Sequence, residues 1–550
     1  MIAKTPTAAE TVYPRVREWT PLAALLVAAA FLRLYRLDSQ LWIDEISAVV
    51  NSIRRPLGSI ATQWPGVGSH PFYELWARAC IALFGDTPFA VRLPAAVFGT
   101  AGVGALYLLA RRVLERRHAL AIAALLALSY HSIFFSQNAR GYTALIFFFT
   151  LASSLLIKFE QTGQITPAGG GAYALVCALA AYSQAVGVFI LPAHAGVVLA
   201  AHFTDARQHP PLRAYLVSAV VGGVATGLLY LPFVSSLAHY TQDSVKTPAL
   251  GPRVGPWLLR EVVEGLSAAF MGPLGLAAAV IVGLVGLAAW WHRSRFALAV
   301  LVAPLALQGV VFAALGVGMY PRYFANALPI ALLVGGYGAL LLVSAATQRL
   351  PLHPARRTLA EGTALAAVVL LSALPLPHYY RTPKQDFLGA MRAVSERAAP
   401  SDVKIGVHVA GYAIGGFYCS DYAQIDHLDE LLVYERTGRR LWVITTLEQV
   451  LAVHDRALHD YIKANYQLVT TLPGTVGHGQ MHIYVSERGA GGRPARARAV
   501  VRWSTVQTQA ELEAVQRAHS TIWAIYTPPI DMSRLLAPRF GTRLRKTSRP

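Results

Sequence analysis

Two adjacent acidic residues, Asp44 and Glu45, follow the first hydrophobic segment of the chain, in the sequence LWIDE at 41–45. A carboxylate at a membrane–water boundary can act as a general base or can hold a divalent cation. The same pair can instead be solvated in a loop, or can cap the helical pattern that starts at Ile46. The residues alone leave these alternatives open.

Two arginines lie in short segments between apolar runs, Arg140 in SQNAR at 136–140 and Arg322 in YPRY at 320–323. An arginine at that depth needs an anionic partner, and the guanidinium fork matches the geometry of a phosphate. Arg140 can alternatively extend its side chain to the head groups. Asn138 and Tyr323 accompany the two arginines in these segments.

A histidine and a tyrosine, His70 and Tyr73, lie in the loop that contains the acidic pair, in the sequence HPFY. His70 can donate a hydrogen bond to a phosphate or a sugar, or can be a structural loop histidine. The chain contains none of the P-loop, GxSxG and HExxH motifs. A nucleotide held in a soluble domain is therefore not predicted, and the chemistry is expected at the membrane interface.

The composition predicts the element types that must hold these residues. The chain is 55% hydrophobic and 14% charged, whereas soluble proteins carry about 25% charged residues. Apolar runs recur from Thr20 to Pro377, and an ordinary soluble composition follows. We predict a polytopic α-helical membrane protein with residues 1–377 in the membrane domain, and a C-terminal soluble α/β domain over 378–550 that ends in a basic tail.

Hydropathy predicts about eleven membrane spans. Arginine-rich loops fall on the same side as the N-terminus when the spans alternate, which predicts a cytoplasmic N-terminus and an extracytoplasmic C-terminal domain. The opposite, outer side then receives the long first loop at 38–88. The predicted spans are 20–37, 89–110, 119–135, 142–158, 172–186, 187–203, 214–235, 271–291, 297–318, 325–346 and 359–377.

The net charge of +19 does not predict a nucleic-acid partner. Much of the basic excess lies in loops between spans, where lysine and arginine set the topology. Another share lies at 488–549, where anionic lipid is an equally good partner. The three cysteines have no CxxC spacing, so they predict no metal cluster.

The order of these motifs resembles a known family. LWIDE follows one span, HPFY lies in the long loop, FAVRLPAA at 89–96 opens the second span, SQNARGY at 136–142 precedes the fourth, and PRY at 321–323 precedes a late one. The chain resembles the superfamily of protein O-mannosyltransferases and aminoarabinose transferases (families 39 and 83), which are GT-C fold membrane glycosyltransferases that use polyprenyl-phosphate sugars. The resemblance covers residues 20–410.

The resemblance implies a role for each residue. Asp44 would be the catalytic carboxylate and Glu45 would assist it or shape the site. Arg140 and Arg322 would hold the lipid phosphate, while His70 and Tyr73 would line the cavity. Relatives often carry an acid where this chain has Asn138, which can bond a sugar hydroxyl but cannot be a base.

The expected function is transfer of a sugar from an undecaprenyl- or decaprenyl-phosphate donor to a lipid, glycan or protein acceptor, with inversion. It would occur on the outer face of a bacterial cytoplasmic membrane. No nucleotide or other cofactor is expected to be required, although a divalent cation remains open. The alternatives are a transporter or flippase of lipid-linked sugars and a scaffold with a sensory outer domain.

Overall fold

The computed structural model describes residues 8–66, 68–204, 210–238, 256–316, 320–486, 499–502 and 522–525. The basic tail predicted from the sequence lies mostly outside these residues. Contacts divide the chain into two units, Met1–Thr382 and Pro383–Pro550, with the division a few residues after the boundary that hydropathy predicts. Each unit is described separately.

All the regular secondary structure in the described part of the first unit is helical. Short 3-10 or π segments at Val49–Ile53, Ala185–Phe189, Leu231–Phe233 and Pro321–Phe324 join several of the helices. The helices are α1 Ala8–Leu34, α2 Ile43–Ala48, α3 Leu57–Thr62, α4 Pro71–Phe84, α5 Pro88–Ala110, α6 Arg116–Leu128, α7 Tyr130–Ser136, α8 Tyr142–Thr162, α9 Pro167–Ser183, α10 Ile190–Phe203, α11 Leu212–Tyr230, α12 Pro256–Ala269, α13 Pro273–Arg293, α14 Arg295–Leu315, α15 Ala327–Gln348, α16 Pro354–Leu371 and α17 Leu376–Arg381.

The predicted multi-pass architecture is confirmed. In the described part of the chain, eight helical segments are long and apolar enough to cross a membrane, and a ninth is the bent pair α6–α7. The helices at two other predicted spans fall just short of that length, since the apolar part of α1 is Trp19–Leu34 and α9 has 17 residues. The predicted orientation of the termini stays a prediction.

The bend of 58° between α6 and α7 is filled by a buried arginine of α1. The guanidinium of Arg33 donates to the carbonyl oxygens of Leu126 and Ala127, at 3.3 Å and 3.2 Å. It also donates to the hydroxyls of Ser132 and Ser136, at 2.8 Å and 3.1 Å. A helix that ends inside a bilayer leaves carbonyls without partners, and Arg33 supplies donors at this break.

The second unit contains the α/β domain expected from the sequence. Its five-stranded sheet has the order β2-β1-β3-β5-β4, in which β1 pairs in parallel with β2 and β3, and β5 pairs antiparallel with β3 and β4. The strands are β1 Val403–Val407, β2 Ala423–Ile425, β3 Leu441–Thr446, β4 Tyr466–Leu472 and β5 Met481–Ser486, and a separate parallel pair joins β6 Ala499–Arg502 and β7 Ile522–Ile525.

Helices cover this sheet, and every residue of β3 is buried, as expected for a central strand with both faces covered. The segment 447–465 forms two helices and not one, because Asp455 ends the first and caps the second with its Oδ1 2.9 Å from the Leu458 amide. The helices are α18 Phe387–Ser395, α19 Val409–Ala413, α20 Leu428–Glu435, α21 Glu448–His454 and α22 Arg456–Asn465, with a π segment at Ile414–Tyr418.

Candidate active site

Arg92, near the start of α5, organises the start of the long loop at 38–88. Its guanidinium is 1% exposed and binds the Glu45 carboxylate with two hydrogen bonds, at 2.7 Å and 2.6 Å. The same group donates to the carbonyl oxygens of Leu37, Ser39 and Gln40, at 2.9 Å, 2.7 Å and 2.9 Å. Arg92 therefore fixes the chain between the end of α1 and the acidic pair.

Glu45 joins this loop to the turn that contains Ala139. Its side chain is fully buried, and its oxygens also accept the amide N–H groups of Trp42 at 3.2 Å and Ala139 at 2.8 Å. The bond to the Trp42 amide caps the N-terminus of α2. Of the two adjacent acids, Glu45 is therefore the one that caps the helix. Because Arg92 and two amides engage its carboxylate, Glu45 is placed to shape the site.

Asp44 lies beside Arg140 and Arg322, the two arginines predicted from the sequence to bind phosphate. Its Oδ2 is 3.0 Å from Nη1 of Arg322 and 4.0 Å from Nη2 of Arg140. Arg140 is held on the loop by bonds to the carbonyl oxygens of Gly68 at 2.6 Å and of Asp44 itself at 2.8 Å. Two cations and one carboxylate from three separate segments thus form one cluster.

This Asp44 cluster is open to a ligand and carries an excess positive charge. The Asp44 side chain is 22% exposed and that of Arg322 is 38% exposed. Burial lowers the pKa of Arg322, but the Asp44 carboxylate and the neighbouring tyrosines together raise it by more, so the net direction is upward. Both guanidinium groups are charged at neutral pH, which leaves one positive charge for an anionic ligand.

A buried polar layer that contains His70 and Glu74 lies near the cluster. The ring of His70 lies with Nδ1 3.1 Å from the carbonyl oxygen of Ser183, which makes Nδ1 the protonated nitrogen. Burial, and then the charge of Arg140, lower the pKa of His70 to about 3, so the ring is neutral. Glu74 accepts the backbone N–H of His70 at 2.8 Å and the hydroxyl of Ser52, and burial raises the pKa of Glu74.

The remaining predicted residues lie around this layer. Tyr73 is 2% exposed and donates its hydroxyl to the carbonyl oxygen of Val91. Asn138 is buried, and its Oδ1 accepts the indole N–H of Trp42 at 3.2 Å. Tyr323 is half-buried, with its ring centre 5.6 Å from that of Tyr320.

The structure therefore divides the predicted site into two groups. Asp44 and Arg322 are partly exposed and form the cluster with the buried Arg140, whereas Glu45, His70, Tyr73 and Asn138 lie buried and outside it, and Tyr323 flanks Arg322. Sequence reasoning quoted Arg92 in a motif but gave it no role, and it did not consider Glu74. The signal that could have identified Arg92 is its position near the start of an apolar helix, where an ionisable side chain requires a partner.

A separate cavity of about 460 Å³ lies between α1, α6 and α16. Its lining is mainly apolar and includes Arg117 and Glu361, whose charged groups are 3.8 Å apart. None of the predicted site residues lines this cavity. The Asp44 cluster therefore remains the candidate site for chemistry.

Comparison with known proteins agrees with this fold. Residues 69–225 match the family model described as dolichyl-phosphate-mannose-protein mannosyltransferase. The apo crystal structure of ArnT from Cupriavidus metallidurans is similar, with 14% identity, a TM-score of 0.50, and coverage of 86% of this chain and 99% of that one. No curated protein matches the chain in sequence.

A second similar structure is the apo oligosaccharyltransferase of Archaeoglobus fulgidus. It has 14% identity and a TM-score of 0.51, and the alignment covers 87% of this chain and 75% of that chain. Together with the family match, these similarities show that the chain has the fold of the GT-C membrane glycosyltransferase superfamily. This confirms the resemblance that the motif order predicts.

Proposed function

We propose that this GT-C fold protein is a membrane glycosyltransferase that moves a sugar from a polyprenyl-phosphate donor to an acceptor at the outer face of the membrane. The observation that carries the proposal is the Asp44 cluster, in which one carboxylate is shared by Arg322 at 3.0 Å and Arg140 at 4.0 Å. The family match over 69–225 supports a lipid-phosphate donor. The acceptor is a lipid, a glycan or a protein hydroxyl or amine.

The cluster suits such a donor because its two arginines can exchange the Asp44 carboxylate for an incoming phosphate. Arg322 and Arg140 pair with Asp44 in the absence of donor, and a phosphodiester brings a charge that fits the fork of a guanidinium. Transfer of the two arginines to the phosphate releases the carboxylate of Asp44 from its ion pairs. Donor binding would thereby expose the base that the reaction needs.

The reaction then follows from these positions. The acceptor oxygen or nitrogen attacks the anomeric carbon on the face opposite the phosphate, and the proton that it loses passes to Asp44. The bond between the anomeric carbon and the phosphate oxygen breaks, and its electron pair leaves with the phosphate. Arg322 and Arg140 stabilise that leaving charge, and the anomeric centre is inverted.

The buried residues behind the cluster position this machinery. Arg92 and Glu45 hold the loop of Asp44 against the turn of Arg140, and Asn138 fixes Trp42. No step requires a nucleotide, since the lipid phosphate is itself the activated leaving group. A divalent cation beside Asp44 is compatible with the carboxylate and is tested by turnover in the presence of a chelator.

The test is donor consumption by the full chain purified in detergent, where no transport is possible. The probes are radiolabelled mannosyl, glucosyl and aminoarabinosyl phosphates of undecaprenol and decaprenol, with host glycolipids and proteins as acceptors. Asp44→Asn should lower turnover by about 10²- to 10⁴-fold, the usual contribution of a general base. Arg322→Gln should both weaken donor binding and slow turnover.

The matched control is Asp86→Asn, which neutralises an exposed acid of the same loop, paired with Arg54 at 2.8 Å. It should retain full turnover. Unchanged turnover in a well-folded Asp44→Asn protein would remove Asp44 as the base. Movement of donor across vesicle membranes without any consumption in detergent would instead favour the flippase.

A further inference from the structure

The cavity between α1, α6 and α16 has a polar end and an apolar end. Its polar end contains Arg117, the second residue of α6, together with Thr358 and Glu361 in the first half of α16. Beyond these residues the lining is apolar, along α6 as far as Ala124 and along α16 as far as Val369. The cavity therefore has the polarity of a membrane lipid, with charged groups at one end and hydrocarbon along the rest.

The cavity has the length of one acyl chain in one leaflet of a bilayer. Thr358 and Val369 both line it, and a helix that rises 1.5 Å per residue covers about 16 Å between these two positions. One leaflet contributes about 15 Å to the hydrocarbon core of a bilayer, which is about 30 Å thick. The three helices around the cavity are all apolar, so the molecule available to fill it is a lipid.

Small residues create this space. Ala121 and Ala124 line it from α6, and Gly362 and Ala366 line it from α16. Small residues in membrane proteins usually let two helices pack closely, but a Cβ added at Gly362 would have no atom within 4 Å. Side chains beside an unfilled space lose dispersion contacts, and a hydrocarbon chain would restore them.

The polar end presents one charge of each sign. Nη1 of Arg117 and Oε2 of Glu361 are 3.8 Å apart, which is too long for a hydrogen bond. The Arg117 side chain is 56% exposed and also lies 3.3 Å from the carboxylate of Glu115. Exposed ion pairs contribute only about 0–1 kcal/mol, so a ligand with both charges can replace the contact between Arg117 and Glu361.

Glu361 decides which lipid head group fits. An acidic side chain on a membrane helix requires a cationic partner, and this one is only 15% exposed. A head group that consists of a phosphate and a primary ammonium supplies both partners. Its phosphate matches the guanidinium fork of Arg117, and its ammonium has N–H groups that can donate to the Glu361 carboxylate.

We propose that the cavity binds one phospholipid with a phosphoethanolamine head group. The phosphate binds Arg117, the ammonium binds Glu361, and one acyl chain lies along α16 toward Val369. This lipid would fasten α16 to α1 and α6. The site is separate from the Asp44 cluster, and its occupation is independent of the proposed glycosyl transfer.

The experiment is native mass spectrometry of the full chain, purified in detergent and stripped of lipid. The probes are dioleoyl phosphatidylethanolamine, phosphatidylglycerol and phosphatidylcholine, each titrated without donor or acceptor. The parent should bind one phosphatidylethanolamine about tenfold more tightly than either other lipid, the effect of one charge-assisted hydrogen bond. Glu361→Gln should abolish this preference, and Gly362→Leu, which places a side chain in the cavity, should weaken binding of phosphatidylethanolamine.

Two matched controls separate this site from lipid that merely surrounds the protein. Glu115→Gln removes the other acid beside Arg117, which is 73% exposed, and should keep the preference. Gly171→Leu makes the same change as Gly362→Leu at a glycine of α9 with open space around it, and should bind lipid like the parent. Melting temperatures establish that each variant is folded.

Four results would overturn the proposal. The parent could bind the three lipids alike, as a surrounding lipid shell would, or could prefer phosphatidylglycerol, which would leave Glu361 without a role. Folded Glu361→Gln protein could keep the preference of the parent. Gly171→Leu could weaken binding as much as Gly362→Leu does.

Discussion

The buried pair of Glu45 and Arg92 offers the sharpest test of how the candidate site is held. Glu45→Gln keeps the size of the side chain and removes its charge. The side chains of Arg92 and Glu45 are 1% and 0% exposed, so the guanidinium would remain in the interior with only carbonyl and hydroxyl acceptors. Removing one partner of such a pair costs about 3–5 kcal/mol.

The exposed pair of Asp86 and Arg54 sets the scale for comparison. Both side chains are 44% exposed, and a surface ion pair contributes about 0–1 kcal/mol. Asp86→Asn changes the same functional group in the same loop as Glu45→Gln. The buried change should therefore destabilise the protein several times more than the exposed one.

The assay is thermal unfolding of both variants and the parent in one detergent, followed by tryptophan fluorescence. Glu45→Gln should lower the apparent melting temperature several times more than Asp86→Asn. It should also slow turnover, because Glu45 ties the loop of Asp44 to the amide of Ala139 at 2.8 Å.

A double variant, Glu45→Met with Arg92→Met, tests the reasoning about charge. Replacing a buried pair by apolar residues of similar size is often neutral or stabilising, so the double variant should be more stable than Glu45→Gln. The reasoning fails if Glu45→Gln melts like Asp86→Asn. It also fails if the double variant loses as much as the sum of its single changes.

Three further outcomes follow from the packing. The pKa of His70 falls from 6.5 to about 3 on folding, so below pH 6.5 the unfolded chain binds a proton that the folded chain does not. The free energy of unfolding should therefore be unaffected by His70 above pH 6.5 and should fall as the pH drops, by about 2 kcal/mol at pH 5. His70→Asn should flatten this part of a plot of melting temperature against pH. Arg33→Gln should lower the melting temperature far more than Arg36→Gln, because only Arg33 is buried at the helix break. Gly141→Ala should reduce turnover at least tenfold, since its Cβ would lie 2.3 Å from a backbone carbonyl oxygen, whereas Gly171→Ala, with open space around it, should not.

The membrane-spanning helices of the first unit could be predicted because each is a long apolar run, and the bilayer requires backbone hydrogen bonds within a segment. The break between α6 and α7 could not be predicted, because Ser129 at the break does not interrupt a helix as proline does. The chain bends there where donors of Arg33, a residue of another helix, satisfy the freed carbonyls. The sequence contains no local signal for that contact.

The candidate site was predictable where chemistry alone demands a partner. Arg140 and Arg322 required an anion, and both lie near Asp44. The burial of Glu45 was not predictable, because its partner Arg92 is 47 positions away and only the tertiary fold decides which of two adjacent acids faces inward. Neighbouring residues on a helix point about 100° apart, so Glu45 and Asp44 receive different environments.

The position of Arg33 also affects how the protein is made. Its partners across the helix break are 93 to 103 residues later in the chain, while its earlier contact is the Ala29 carbonyl of its own helix, at 3.0 Å. During synthesis, α1 leaves the ribosome with a charged group that has no interhelical acceptors until α6 and α7 emerge. Arg33 therefore reaches its final hydrogen bonds only after these two helices have been synthesised.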